Sequence, residues 1–504
     1  MDRRHDGFAR GIAHGLSIAA SPANLLYCFA GALLGTFVGV LPGVGPLLTI
    51  ALLLPFTFSL EPTGALIMLA GIYYGAQYGG STTSILLNMP GETSSVVTCI
   101  DGHAMARQGR GGPALAVAAI GSFIAGTLST GIVAFFAPVL AGVAIRFGPA
   151  DYFSLMVLGL VGAIVLAQGS FVKALAMIVL GLLFGLVGTD VNSGEQRLTF
   201  GIQALADGIG FVPVALGVFG IGEIIRILIG QERDGGQVIP HGSLMPSRQD
   251  LRDSSGAIAR GSVIGSALGL LPGGGAALAA FASYTVEKKL ARDPSRFGRG
   301  AIEGVAGPES ANNAAAQTSF IPLLTLGLPS NAVMALMIGA LMLHGITPGP
   351  RIMQAEPDLF WGVVASMWIG NAMLIVLNLP LVGLWVRLLR VPYRFLYPTI
   401  VLVSCVGVYG VSNSAFDLVT TAVFGLLGWV LQALRFEPAP LLLGFVLGPM
   451  MEENLRRAMI LSRGDPTVFL REPISLALLV LTGVLLAAII LPTVRRSRER
   501  VFAE

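Results

Sequence analysis

Apolar runs of about twenty residues recur along almost the whole chain, each long enough to cross ~30 Å of hydrocarbon. They fall at 24–58, 62–90, 113–147, 151–168, 171–189 and 209–229, and again at 258–286, 300–345, 359–389, 393–411, 415–434, 438–461 and 472–492. Only 12% of the 504 residues are charged, against about a quarter in a soluble domain. An outer-membrane barrel shows ten-residue alternating segments instead. The expected fold is therefore an all-α polytopic membrane protein with about twelve crossings, some of them half-spans. Run 113–147 exceeds one ordinary span and is expected to bend near Pro138.

Two of these runs are broken in the same way. Residues 31–48, GALLGTFVGVLPGVGPLL, align without a gap to 261–278, GSVIGSALGLLPGGGAAL, with eight of eighteen positions identical. The matches include a glycine frame (Gly31, Gly35, Gly39, Gly45 against Gly261, Gly265, Gly269, Gly275) and a shared Leu-Pro-Gly. Downstream, Tyr73–Ser95 parallels Pro308–Ala332 in the order of its small, polar and apolar residues. The chain thus reads as two repeats, 24–229 and 258–492 with its C-terminal helices. A polar linker at 230–257 joins them, with a lead-in at 1–23 and a tail at 493–504.

Basic residues enrich cytoplasmic loops, and their bias flips between equivalent loops. The exit from the first break, SLEP, has none; the exit from the second carries Lys288, Lys289, Arg292, Arg296 and Arg299. After the second motif of the first half stand Arg107 and Arg110, whereas Arg351 in the other half is offset by Glu356 and Asp358. The two repeats are therefore expected in opposite topology. Basic ends (Arg3, Arg4, Arg10 and Arg495, Arg496, Arg498, Arg500) lead to the expectation of two cytoplasmic termini.

Proline and glycine unwind a helix. Unwound backbone survives in a bilayer only where protein or water satisfies it. Matched breaks in two halves point to a transporter's midplane site, where free N–H groups and dipole ends attract anions without a buried Lys or Arg. The alternative for any one break is a kink or a tight packing site. Breaks of this kind fit either discontinuous helices or re-entrant hairpins.

At this point the chain is similar to the large membrane subunit of the tripartite tricarboxylate transporters, the TctA-type family. The stretches that carry the resemblance are GVLPGVGPLLTIALLLPFTFSLEPTGALIMLAGIYYGAQYGGSTTSILLNMPG, DGHAMARQGRGGPAL and GPESANNAAAQTSFIPLLTLGLPS. The resemblance implies a bacterial inner-membrane permease that works with a small four-helix membrane subunit and a periplasmic solute-binding protein. It implies uptake driven by an ion gradient, with tri- and dicarboxylates such as citrate as substrate class. Two departures stand near the expected site. Pro90-Gly91-Glu92-Thr93 replaces a common Pro-Gly-Thr, and Leu328-Pro329-Ser330-Asn331 replaces Ile-Pro-Gly-Ser.

Candidate substrate contacts are Gly43, Gly45, Gly273, Gly274 and Gly275 at the breaks. The hydroxyl run Ser81, Thr82, Thr83, Ser84 with Asn88 follows, then Asn312 and Asn313, with Ser330 and Asn331 behind them. Hydroxyls and amides donate to carboxylates and complete cation shells, although Ser and Thr also bond their own helix backbone. Gln317, Thr318 and Ser319 lie nearby. Glu309 and Thr325 are the candidates for a coupling cation, sodium or proton. Glu303, Asp207, Glu223 and Arg226 read as edge charges. Cys28, Cys99 and Cys405 read as packing residues, and the histidines have no metal spacing. No other cofactor and no nucleic-acid partner is expected. An anion channel, or less readily an intramembrane enzyme, is the competing class. The enzyme needs an embedded nucleophile–base or aspartate pair, which the sequence does not offer.

Overall fold

The computed structural model describes residues 2–41, 45–166, 170–190, 192–229, 239–240, 242–271, 275–388 and 393–490. It is almost wholly helical. The first half runs α1 (Asp2–Ala19), α2 (Pro22–Val40), α3 (Gly45–Thr57), α4 (Pro62–Leu87), α5 (Val96–Arg107), α6 (Gly111–Ala144), α7 (Pro149–Leu166), α8 (Phe171–Gly185), α9 (Phe211–Ala215) and α10 (Gly222–Ile229). A π-helical turn, Leu216–Ile221, joins the last two. The second runs α11 (Arg248–Gly269), α12 (Gly275–Leu290), α13 (Glu303–Thr318), α14 (Phe320–Leu326), α15 (Ala332–Leu343), α16 (Ile352–Ala355), α17 (Pro357–Asn378), α18 (Val382–Leu388), α19 (Tyr393–Ser412), α20 (Ala415–Ala433), α21 (Ala439–Leu461), α22 (Val468–Arg471) and α23 (Pro473–Ile490). Among the described residues the only sheet is a two-residue ribbon pairing Gly188–Thr189 with Gln196–Arg197.

Helix starts follow local chemistry. Ser21 caps α2 and Glu61 caps α4, each followed by a proline at the first helical position. Ser247 and Asp250 form a reciprocal capping box that starts α11 at Arg248. The stretch expected as a linker to 257 is therefore helical over its last ten residues. Its residues 230–238 and 241 lie outside the described residues. The run expected to bend near Pro138 forms one continuous 34-residue helix, α6, with that proline inside it. Four helices are long and apolar enough to cross a membrane individually (α2, α6, α17 and α20) among the described residues; several others are shorter apolar helices.

The glycine frame explains how α2 and α4 meet. A Cβ on Gly31, Gly35 or Gly39 would stand 2.2–2.4 Å from the carbonyl oxygens of Met68, Ile72 and Ala76 respectively. The reverse contacts come from Gly71, Gly75 and Gly79, which lie against Ala32, Thr36 and Val40 backbone. Lipid tails are as apolar as Leu, so helices associate in a bilayer by close packing of small residues. The contact pairs advance together, so α2 and α4 run parallel. Helix α3, about 20 Å long, therefore carries the chain back to the level where α4 begins. The second half repeats this packing: Gly261, Gly265 and Gly269 of α11 lie against the carbonyls of Gly307, Ala311 and Ala315 of α13. Here α12 is the returning arm. A bidentate ion pair from Arg260 Nε and Nη2 to Glu287 (2.8 and 2.5 Å) ties it to α11.

The two hairpins have their bases at opposite ends of the bundle. The base of α11–α12 lies with Arg110, which pairs with Asp250, and with Gln108, whose amide donates to Arg299 O at 2.8 Å. The base of α2–α3 lies with Phe58, against His344, and Thr63, against Gly362. At that second end α1 seats the stripe Gly11, Gly15, Ala19 on α17, around Trp361, and His14 reaches Asp358 at 2.7 Å. Helix α23 starts beside α7, Ser475 against Ser154, and leads toward the basic end. The small-residue stripe of α1 thus docks on the start of α17. The C-terminal arginines on which the expectation of two cytoplasmic termini rests lie outside the described residues.

Outside the bundle the Arg456 guanidinium holds the Asp190 carboxyl below the usual carboxylate range. It also bonds Glu452, which in turn accepts from Arg197 at 2.7 Å. This pins the loop between α8 and α9 onto the end of α21.

Candidate functional site

Both breaks restart their helix with a glycine in the left-handed region, Gly45 at φ +60° and Gly275 at φ +51°. These two are aligned positions in the sequence, and only glycine adopts that conformation without strain. Gly43, Gly273 and Gly274 lie outside the described residues. Each break faces a second turn in its own half. Gly45 lies toward Gly91, and a Cβ on Gly275 would stand 3.6 Å from Asn331 Cβ.

Those second turns share one geometry. Asn88 ends α4 in the left-handed region (φ 56°, ψ 32°), and Gly327 ends α14 likewise (φ 68°, ψ 27°). Four residues on, Glu92 (φ −151°, ψ 172°) and Asn331 (φ −158°, ψ 176°) are extended and cap the next helical segment. We call these the first and second tips. Asn88, expected as a ligand, is instead an exposed C-cap whose N–H bonds Thr83 O.

A buried polar cluster built from both halves lies along α4. Glu309 of α13 is wholly buried. Its Oε2 accepts from Ser81 Oγ at 2.5 Å and Asn312 Nδ2 at 3.4 Å, and its Oε1 accepts from Thr98 Oγ1 of α5. Asn313 Nδ2 donates to Asn312 Oδ1 (2.6 Å), Ser122 Oγ of α6 (2.7 Å) and Glu309 O (3.1 Å). Gln77 Oε1 accepts from Ser94 Oγ at 2.7 Å, and Ser94 also bonds Glu92. At the second tip Asn331 Nδ2 donates to Tyr73 Oη at 3.2 Å. Buried oxygens of Asn313, Gln317 and Ser330 have no hydrogen-bond partner among the described residues. Buried polar groups are normally satisfied, and these three oxygens are exceptions among the described residues. A cavity of about 10 Å³, room for one water molecule, is lined by Tyr78, Ser81, Thr82, Ser122 and Asn378.

The structure thus gathers Ser81, Thr82, Asn312, Asn313 and Glu309, with Ser330 and Asn331 at the second tip. Thr83 and Ser84 are buried on α4, with Thr83 Oγ1 bonded to Gly80 O. Thr325 is set apart: its hydroxyl bonds Ile321 O at 2.6 Å within α14. Glu303 pairs with Arg296 and Glu223 with Arg226, as edge charges do. Sequence reasoning missed Tyr73, Gln77, Ser94, Thr98 and Ser122. The spacing Tyr73, Gln77, Ser81 places three polar groups on one face of α4, and that periodicity was the available signal.

Asp101 holds the basic loop to this core. It is fully buried, and its Oδ1 accepts from the backbone N–H of Gly298 (2.9 Å), Gly300 (2.8 Å) and Ala301 (2.8 Å). Asp101→Ala leaves three backbone donors unpaired, the Ala301 N–H among them buried, and is expected to cost about 2 kcal/mol. A lowered thermal unfolding midpoint in detergent, with faster proteolysis between 291 and 301, is the expected outcome; an unchanged midpoint contradicts the latch.

The family model described as "Tripartite tricarboxylate transporter TctA family" matches residues 25–443. A 52.8 kDa protein in the TAR-I ttuC' 3' region of Agrobacterium vitis is 56% identical over 490 residues, 97% of this chain and 98% of its own length. A second protein of that organism, in the TAR-II ttuC' 3' region, is 61% identical over 240 residues, 48% of this chain and 99% of its own length. No solved structure matches the chain.

Proposed function

The chain belongs to the tripartite tricarboxylate transporter TctA family, and on that premise we propose that it is the substrate-translocating subunit of an ion-coupled importer of small carboxylates. The family is one of transporter components that work with further subunits and a binding protein. For this chain we take the partners to be a small four-helix membrane subunit and a periplasmic protein that delivers the anion. The observation that carries the reading is the pair of left-handed glycines, Gly45 and Gly275, each opening a helix toward a second turn, in a chain whose halves are joined by the buried Glu309 cluster.

We read α2–α3 and α11–α12 as re-entrant hairpins of two inverted repeats. Their shared glycine packing and their bases at opposite ends support this. The end with Arg107, Arg110, Lys288, Lys289 and Arg299 is then cytoplasmic, the C-terminus with it, and α1 lies at the periplasmic surface of the inner membrane. Helix N-termini at the breaks supply the attraction for an anion. Glu309 supplies a fully buried carboxylate, unpaired with any basic side chain among the described residues, for a coupling sodium ion or proton, with oxygen donors around it. Because Ser81, Thr98 and Glu309 bond the halves to each other, we take the two hairpins to move together as one body.

The test is uptake of citrate and a panel of small carboxylates by cells carrying this chain with its cognate partners, with and without a sodium gradient or a protonophore. Gradient-dependent, saturable uptake is expected, reduced on the order of tenfold or more in Asn313→Ala at matched expression, since the buried hydrogen bonds of its two amide N–H groups are lost. Uptake that ignores both gradients and fails to saturate supports a channel instead.

A further inference from the structure

We propose that the small cavity between α4, α6 and the end of α17 is a sodium site, and that sodium rather than a proton is the ion coupled to uptake. The coupling role rests on the carrier reading above and deepens it. The site itself rests on the polar groups around the cavity.

The cavity, about 10 Å³, has room for one water molecule. Its polar lining comes from Tyr78, Ser81 and Thr82 of α4, Ser122 of α6 and Asn378, the last residue of α17. Three aliphatic side chains of α6 close the rest. None of the five polar residues is more than 6% exposed, so bulk water does not reach them.

Where the protons go decides what the cavity can hold. The Tyr78 hydroxyl donates to Asn371 Oδ1 at 2.7 Å, and that of Ser81 to Glu309 Oε2 at 2.5 Å. The Ser122 hydroxyl donates to Glu309 O at 3.3 Å while accepting from Asn313 Nδ2. Asn378 Nδ2 donates to Leu374 O at 3.0 Å and to Thr36 Oγ1 of α2 at 3.4 Å. Asn378 Oδ1 is buried and has no hydrogen-bond partner among the described residues. Four of the five groups have therefore spent their protons on other partners, and lone pairs are what they have left to offer. A water brings two protons to four acceptors. A carboxylate meets lone pairs and a single hydroxyl, that of Thr82, so the substrate anion is excluded. A hard cation is answered by every one of these oxygens.

A dehydrated cation in a bilayer needs a counter-charge. Ser81 provides the link, because the hydroxyl group that lines the cavity is the one bonded to Glu309. One carboxylate a single hydrogen bond away balances a monovalent ion, and space for one water admits that ion only without its hydration shell. A coupling proton needs no such cage. It would sit on Glu309 itself and leave Asn378 Oδ1 unanswered. Through Asn378 and Thr36 the ion's shell also reaches α2 of the first hairpin, so filling the site ties the end of α17 to α4, α6 and that hairpin.

Binding of radioactive sodium to the purified full chain in lipid nanodiscs tests the site, with potassium and choline as replacement cations. Wild type is expected to bind sodium saturably, with potassium a poor competitor. Thr82→Val and Asn378→Leu keep the heavy-atom shape and remove one oxygen each. Each is expected to raise the half-saturating sodium concentration on the order of tenfold. In vesicles holding the chain with its partner subunit and binding protein, carboxylate uptake should persist under a sodium gradient with a protonophore present. Its half-saturating sodium concentration should shift by the same factor in the variants. No saturable sodium binding by wild type, equal displacement by potassium, or half-saturation unchanged in both variants overturns the site. Uptake that follows a proton gradient with choline in place of sodium overturns the coupling role and leaves the carrier. Sodium binding without uptake of any carboxylate by wild type removes the carrier reading and leaves the site.

Discussion

Gly35→Leu is expected to abolish the folded protein, and Gly265→Leu to do the same. A Cβ on Gly35 falls 2.4 Å from Ile72 O, and one on Gly265 falls 2.2 Å from Ala311 O. In both cases the obstacle is helix backbone, which has no rotamer to change. The helix pair must separate along its length, and the neighbouring glycine contacts separate with it. Overpacking in a core costs roughly 1–3 kcal/mol when side chains can adjust; here none can, so we expect a loss above ~3 kcal/mol. Gly131→Leu in α6 is the control, because nothing lies within 4 Å of its added Cβ. Size-exclusion profiles of tagged protein in detergent check this. Aggregated material for the two frame variants and a native peak for Gly131→Leu are expected. A native peak for Gly35→Leu with an unchanged melting point would mean that α2 and α4 do not pack through this face.

Glu309→Gln is expected to uncouple transport while leaving the protein folded. Glutamine has the same shape, keeps one oxygen for the Ser81 hydroxyl, and presents an amide to Thr98, whose hydroxyl then turns to accept. The charge is gone, so neither a sodium ion nor a proton is held in the cluster. Moving one net charge across 100 mV is worth about 2.3 kcal/mol, or about fiftyfold in concentration. Accumulation against a gradient should fall by about that factor at that potential, while exchange of labelled for unlabelled substrate continues. Measuring both in the same vesicles separates the cases. Loss of exchange together with accumulation would assign Glu309 to substrate binding or folding, and unchanged accumulation would remove it from coupling.

The helices were legible in the sequence because a bilayer demands long apolar runs, and the segments read there match the observed helices closely. The glycine frame was legible too, although its meaning changed. It reads as four glycines repeated, and the structure shows a face that admits backbone of the next helix. The site was half legible. Asn312, Asn313 and Glu309 stand out because polar groups among apolar residues need a reason. Thr98 and Ser122 do not stand out, since a single hydroxyl in a membrane helix usually bonds its own backbone. Their partners lie more than 180 residues away in the chain, a distance no local pattern encodes. Asn88 misled for the opposite reason, because an asparagine after a polar run is also the ordinary left-handed end of a helix.

The ion pair between Arg260 and Glu287 has no counterpart in the first half. The aligned positions are Ala30 and Thr57, and Thr57 spends its hydroxyl on Leu54 O. One hairpin is therefore riveted near its base and the other is not. Parting the arms of the second leaves a buried carboxylate without its cation, a penalty the first never meets. The two openings should then differ in lifetime, with amides of α2 and α3 exchanging with solvent sooner than those of α11 and α12. The chain thus holds one stiff hairpin and one yielding one, and the difference traces to a single pair of side chains.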